Sequence, residues 1–310
     1  MTLDELLALP ERFVDYSGPL GPKFRLSWAC TSLCNADPKC PYCCTEYGRT
    51  LQNSSLPCDP DEYLRAMLQL GEDPGPFYAV TAWGDGMVND QIARIIGQVA
   101  RRNRVDITCN LVFPKERLKL MPTNGNLNFC ASFHPHLWPS VEAFIEKAQW
   151  VIAEGFPIAV VGIVGYPPHM KHIERWVWEM RAVGLTANAL RFGGEWNGKY
   201  YPPAYTQEET DLLLELNAEP ESARAHLDLY LMSGSPRGRM CRAGKDYAWM
   251  QWGGQVHRCL SLYKDEESCL GSIFDGVTLL TEAKVCDADN CPCTDLWQYI
   301  EEGPSCAPSS

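Results

Sequence analysis

Between residues 76 and 192 the chain alternates between two spacings of apolar residues. The runs "PFYAVTAW" (76–83), "VDITCNLVF" (105–113), "LNFCASFH" (127–134), "PIAVVGIVGY" (157–166) and "TANALRF" (186–192) are short and rich in apolar and β-branched residues. They read as strands buried on both faces. The stretches between them carry helical spacing. In "VEAFIEKAQWVIAEG", Val141, Phe144, Ile145, Ala148, Val151 and Ile152 recur at i, i+3 and i+4, and Gly155 stands where a C-terminal cap belongs. "HIERWVWEMRAVG" repeats this with Ile173, Trp176, Val177, Met180 and Val183, and Gly184 closes it. With "FRLSWA" (24–29) as a first strand, about six β/α units follow one another. Such repetition predicts an α/β fold with a parallel sheet: a full or partial TIM-like (β/α)6 barrel.

After residue 192 the pattern changes. "GGEWNGKYYPPAYTQEET" is loop-like, and "TQEETDLLLELN" reads as a helix capped by Thr206 with Glu209 at the capping-box position. From about residue 236 the chain is cysteine-rich and lacks long periodic segments. A small domain whose thin apolar core is reinforced by metal or clusters has this appearance. The expected organisation is therefore an N-terminal extension (1–23), a barrel (24–235) and a small cysteine-rich domain (236–310). No internal repeat or low-complexity tract interrupts it.

Composition narrows the class. Hydrophobic residues make up 45% and charged residues 21% of the 310, which fits a globular chain rather than a disordered one. No apolar run approaches the roughly 18 residues of a membrane helix, and no membrane partner is expected. The N-terminus, "MTLDELLALPERF", is acidic and amphipathic without the basic and apolar regions of a signal peptide, so the expected location is cytoplasmic. Net charge is −12 with 27 Lys and Arg and no basic stripe, which argues against a nucleic-acid partner. The acidic balance suits a neutral or cationic ligand, and equally a solvated acidic surface.

The fifteen cysteines are the strongest chemical signal. In a reducing compartment such clusters serve as metal or cluster ligands more often than as disulfides. Five lie close together (Cys30, Cys34, Cys40, Cys43, Cys44) and seven fall between Cys241 and Cys306. The first group directly follows the first strand, where parallel α/β proteins place catalytic groups. Within it, "CPYC" places Cys40 and Cys43 where both can hold one metal without strain. Zinc would draw further ligands from Cys34, Cys30 or Cys44. An iron–sulfur cluster held by three cysteines would instead leave one iron open to a small molecule.

"TSLCN" followed by "CPYC" resembles the cluster loop of the radical S-adenosylmethionine (SAM) enzymes. That resemblance implies a [4Fe–4S] cluster on Cys34, Cys40 and Cys43, with Thr31, Asn35 and Tyr42 also in register. It further implies SAM bound through its amino and carboxylate groups to the open iron, and reductive cleavage to a 5′-deoxyadenosyl radical. The spacing, C-x5-C-x2-C, is two residues longer than the family's usual C-x3-C-x2-C; "ADPK" reads as an inserted turn, and Cys30 is the alternative first ligand. "AWGDG" (82–86) occupies the slot of the family's Gly-Gly-Glu-Pro-like segment, so Gly84 and Asp85 are expected near the SAM amino group. Asn110, Ser132, Asn188 and Arg191 match regions where the family contacts the methionine carboxylate and ribose, although polar residues on buried strands need partners in any case. His134 and His136, in "FHPH", could reach a substrate or simply bond at the rim.

The C-terminal group resembles the SPASM and twitch extensions of the same family, in which further cysteines hold auxiliary [4Fe–4S] clusters. Cys241 and Cys259 bracket a hairpin-like segment with Gly254 in Gly-x4-Cys, and "CDADNCPC" supplies Cys286, Cys291 and Cys293. The C-x2-C-x5-C-x3-C ending of a full SPASM domain is absent, so one auxiliary cluster is expected, with cysteines enough for a second. A zinc site on the same thiols is the alternative. The implied activity is hydrogen abstraction from a C–H bond, giving oxidation or epimerisation, with Cys269 or Cys306 as candidate hydrogen donors. An external reductase such as flavodoxin or ferredoxin would supply electrons. About 23 residues precede the first strand, too few for a leader-peptide domain, so a small polar metabolite such as an amino sugar is the leading substrate class. Peptide maturation stands second, and a non-catalytic iron–sulfur or zinc module third.

Overall fold

The computed structural model describes residues 1–15, 22–31, 33–43, 56, 58–82, 84–217, 236–288, 291 and 299–301. Six parallel strands in chain order form its centre: β1 (Phe24–Trp28), β2 (Phe77–Thr81), β3 (Arg104–Cys109), β4 (Leu127–Phe133), β5 (Ile158–Gly165) and β6 (Ala187–Arg191). The sheet does not close, so the architecture is a partial barrel. Every strand expected from the sequence is present, five of them within a residue or two at each end, while β3 stops at Cys109, four residues short of the apolar run that predicted it.

Helices cover the convex face. A short helix α1 (Leu3–Leu7) precedes the barrel. Then α2 (Pro60–Leu70), α3 (Asp90–Ala100), α4 (Val141–Ala153) and α5 (Met170–Ala182) alternate with the strands, and α6 (Gln207–Glu215) follows β6. Side-chain caps set their starts: Asp59 on α2, Asn89 on α3 and Ser140 on α4 each accept from a first-turn N–H. Thr206 and Glu209 form the expected reciprocal capping box on α6. Gly155 and Gly184 close α4 and α5 with φ of +92° and +86°.

The strands are not buried on both faces as their composition suggests. Along β2 and β4 burial alternates, with Phe77, Ala79, Phe129, Ala131 and Phe133 packed beneath the helices while Tyr78, Val80, Asn128, Cys130 and Ser132 are half-buried. The half-buried set lines the concave face of the open barrel. Its lower part is polar: the Tyr78 hydroxyl donates to Asp106 Oδ2 at 2.5 Å, Asn128 Nδ2 donates to Oδ1 at 3.1 Å, and the Arg25 guanidinium lies 5.4 Å from the Tyr78 ring.

Two features of the later chain differ from the sequence expectation. The loop-like stretch after residue 192 forms a hairpin, β7 (Gly194–Trp196) with β8 (Lys199–Tyr201). The cysteine-rich segment also joins the barrel's own sheet. Its β9 (Met240–Cys241) pairs with β14 (Lys284–Val285), but β10 (Tyr247–Met250) runs parallel to β1, and β11 (Gln255–His257), β12 (Cys269–Ser272) and β13 (Gly276–Val277) extend the edge antiparallel. The expected hairpin between Cys241 and Cys259 is β10–β11, with Gly254 at φ +83° in its turn. Among the described residues no helix is long and apolar enough to cross a membrane.

Candidate active site and auxiliary cysteine site

The cluster loop leaves β1 at the C-terminal edge of the sheet, and the loops after β2 and β3 hold it there. Asp85 N donates to Leu33 O at 2.9 Å, and the Asn110 Nδ2 amide donates to Asn35 Oδ1 at 2.7 Å. Asn35 in turn donates to the Val112 carbonyl, and Asn110 Oδ1 accepts from Val112 N at 2.8 Å. Thr31 is buried, its hydroxyl accepting from Leu33 N at 3.0 Å. Gly84 is where this fit is closest. Its φ is +62°, and a Cβ there would stand 2.5 Å from Leu33 O and 2.6 Å from Thr31 O.

Asp85 is 2% exposed, and its carboxylate is already engaged. Oδ1 accepts from Met87 N at 2.8 Å and Oδ2 from Asn110 N at 2.9 Å. Burial pushes its carboxyl up to about 6, while the two N–H donors pull the other way. Asp85 therefore ties the β2 and β3 loops together beneath the cluster loop.

Of the five clustered cysteines, Cys30 is 1% exposed and continues the core face of Leu26 and Trp28 toward Tyr63. Burial raises its thiol far above the ordinary range. It does not share the loop with the others. Cys34, Cys40 and Cys43 follow along the loop, where Cys43 N donates to Cys40 O at 3.2 Å, and among the described residues no three His, Cys, Asp or Glu side chains are gathered closely enough to hold a metal ion. Burial also raises the Cys34 thiol, the Ala36 N–H pulls it back, and Asp85 and Cys43 add to the rise. Cys44 lies outside the described residues.

Tyr42, between Cys40 and Cys43, faces a ring of aromatic and imidazole groups from the ends of β4 and β5. Its hydroxyl is 3.1 Å from His134 Nδ1, and its ring lies 5.2 Å from Tyr166, 5.6 Å from His169 and 6.1 Å from His136. Burial, with smaller contributions from His136 and His169, pushes the His134 imidazole down to about 4, so it is neutral at neutral pH. Phe192 and Tyr201 pack on the same side as Tyr42, while Tyr200 at the hairpin tip is exposed. Tyr166 and His169 were not singled out in the sequence; their place at the end of β5, four residues or fewer past Gly165, was the available signal.

Ser132 and Asn188 lie at one level of the concave face, aligned across Gly162 of the intervening strand. Arg191 ends β6, half-buried. Cys130 sits one step below Ser132 on the same face, level with Thr108 and Val160, and was not recognised as a lumen thiol from sequence. Cys269 is exposed on β12, three strands from β1, and Cys306 lies outside the described residues.

At the extended edge of the sheet, Cys241, Cys259, Cys286 and Cys291 line one small cavity together with Arg258, Leu262, Ala288 and Ile300. Cys293 lies outside the described residues. Backbone donors point at two of the sulfurs: Ala243 N is 3.5 Å from Cys241 Sγ and Ser261 N is 3.4 Å from Cys259 Sγ. Such N–H···S contacts stabilise thiolate ligands. Burial raises both thiols, that of Cys259 to about 11. Tyr247, Trp249 and Ala29 share the apolar cluster around this cavity, which therefore abuts the segment entering the cluster loop.

No protein-family model matches the chain, and no curated protein does. Solved structures do. Streptococcus suis SuiB bound to S-adenosylmethionine superposes with a TM-score of 0.53 at 12% identity, over 82% of this chain and 64% of that one. BtrN in an open conformation aligns over 82% of this chain and 76% of that one, with a TM-score of 0.36 and 13% identity. The chain thus spans about 64% of the length of SuiB, and the likeness to SuiB is one of fold.

Proposed function

We propose that this chain is a radical SAM enzyme acting on a small polar substrate, with a [4Fe–4S] cluster on Cys34, Cys40 and Cys43 and one auxiliary [4Fe–4S] cluster in the Cys241–Cys259–Cys286–Cys291 cavity. The observation that carries this is the closeness of fit at the C-terminal edge. Gly84 leaves room for no side chain against the cluster loop, and Asp85 and Asn110 bind that loop to two neighbouring strands. A donor set of three cysteines suits a cluster with one open iron better than a closed zinc site, which takes four ligands, and Cys44 lies outside the described residues. The shared fold with a SAM-bound structure agrees.

A cluster held by Cys34, Cys40 and Cys43 with SAM beside it would supply a carbon radical able to take hydrogen from an unactivated C–H bond. The chain's own groups align and shield. Tyr42 and the neutral His134 close one side of the cluster loop, and Ser132, Asn188 and Arg191 offer polar contacts on the concave face. That lining supports a small hydroxylated or amino substrate, oxidised or epimerised at carbon. A flavodoxin or ferredoxin would deliver the starting electron.

Anaerobically reconstituted protein, reduced in the presence of SAM, should form 5′-deoxyadenosine. Cys40→Ala should reduce the yield at least a hundredfold while leaving SAM intact. Protein that purifies anaerobically with zinc and without iron would overturn the proposal in favour of a non-catalytic module.

A further inference from the structure

A buried cation lines the auxiliary cavity. Arg258 stands between the end of β11 and Cys259, is 6% exposed, and belongs to the same wall as the four cysteines. Its Nε donates to Ala243 O at 3.2 Å and its Nη2 to Val285 O at 3.4 Å. Both acceptors are neutral carbonyls, and among the described residues no carboxylate pairs with it. The nearby Arg242 is different: it is half-exposed and bonded to Asp246 at 2.8 Å.

A buried guanidinium whose partners among the described residues are all neutral is unfavourable. Four cysteine thiolates around an iron–sulfur core would offset that cost. Such an assembly is a net anion, and one added electron makes it more negative. A cation fixed in the wall therefore favours the reduced form over the oxidised one. The two carbonyl bonds hold the guanidinium in place, one to the turn after Cys241 and one to the residue before Cys286.

We propose that Arg258 is the built-in counter-ion of the auxiliary site, a positioning residue that raises the reduction potential of the cluster bound there. It rests on the auxiliary-cluster assignment above. The consequence is a cluster poised to accept an electron, not one that serves only as a structural staple.

The test is a redox titration of the full, anaerobically purified chain followed by electron paramagnetic resonance, with the Cys34–Cys40–Cys43 cluster as internal reference. At the parent's midpoint, Arg258→Gln should lower the reduced-to-oxidised ratio of the auxiliary cluster at least tenfold, about 59 mV for one electron. Arg258→Lys should recover most of the shift, and the reference cluster should not move. An unchanged auxiliary potential in Arg258→Gln with full iron content overturns the role of Arg258. If Arg258→Gln loses the iron of this site, retention by Arg258→Lys supports the charge requirement. Loss in both variants overturns it, because the carbonyl bonds alone would then explain the residue. A parent protein with only one cluster's iron overturns the auxiliary-cluster assignment itself, an outcome distinct from an unshifted potential.

Discussion

Gly84 is the residue on which the candidate active site depends most sharply. At φ +62° an alanine costs about 1–2 kcal/mol in backbone strain alone, and its methyl would collide with two carbonyls of the cluster loop. Gly84→Ala should therefore lose the iron of the Cys34–Cys40–Cys43 site while keeping that of the auxiliary site, halving total iron by elemental analysis. Asp85→Asn should leave one of two buried backbone donors without an acceptor and destabilise the fold by ~1–3 kcal/mol, read from urea midpoints. His134 predicts a pH dependence. Its folded value is pushed down to about 4, below the ordinary 6.5, so the unfolded chain takes the extra proton first. Its contribution is fully present above about pH 6.5 and lost as pH falls toward 4, by about 3 kcal/mol in all. The parent should lose stability over that window more steeply than His134→Phe, as followed by thermal midpoints. These details were only partly legible in the sequence. Gly84 and Asp85 could be placed by their position after a strand, but the occupation of both Asp85 oxygens by backbone donors depends on how two loops meet.

At the level of elements, the sequence pattern located the strands and the helices α4, α5 and α6 well because their periodicity is a direct image of burial. It erred where burial is asymmetric. Short apolar runs suggested strands covered on both faces, yet Tyr78, Asn128 and Ser132 face an open lumen. Ile152 and Val183, which match the apolar stripe by spacing, lie exposed near their helix ends. The aromatic stretch after residue 192 hid a hairpin because its strands are three residues each, too short to show a period. In the cysteine-rich segment, spacing alone left open which thiols meet. The β9–β14 pairing answers this for the described residues by bringing the Cys241 and Cys286 ends together. Cys259→Ala or Cys286→Ala should accordingly remove half of the iron and leave 5′-deoxyadenosine formation measurable, at a rate reduced no more than tenfold.

Across the whole molecule, the parallel pairing of β10 with β1 is the feature the sequence concealed. Long-range strand pairing leaves no local signature, and the strands of the small domain expected from residue 236 extend the barrel's sheet. The result places a four-cysteine cavity with a buried arginine against the strand that feeds the cluster loop. The central claim of the proposal is that three cysteines at the end of β1 leave an iron open for SAM. Electron–nuclear double resonance on the reduced Cys259→Ala protein tests it most directly, because the auxiliary signal is then removed. With SAM labelled with nitrogen-15 at its amino group, a hyperfine coupling from the bound nitrogen should appear and vanish in the Cys259→Ala, Cys40→Ala double variant. A reduced cluster whose spectrum is indifferent to labelled SAM would contradict the account.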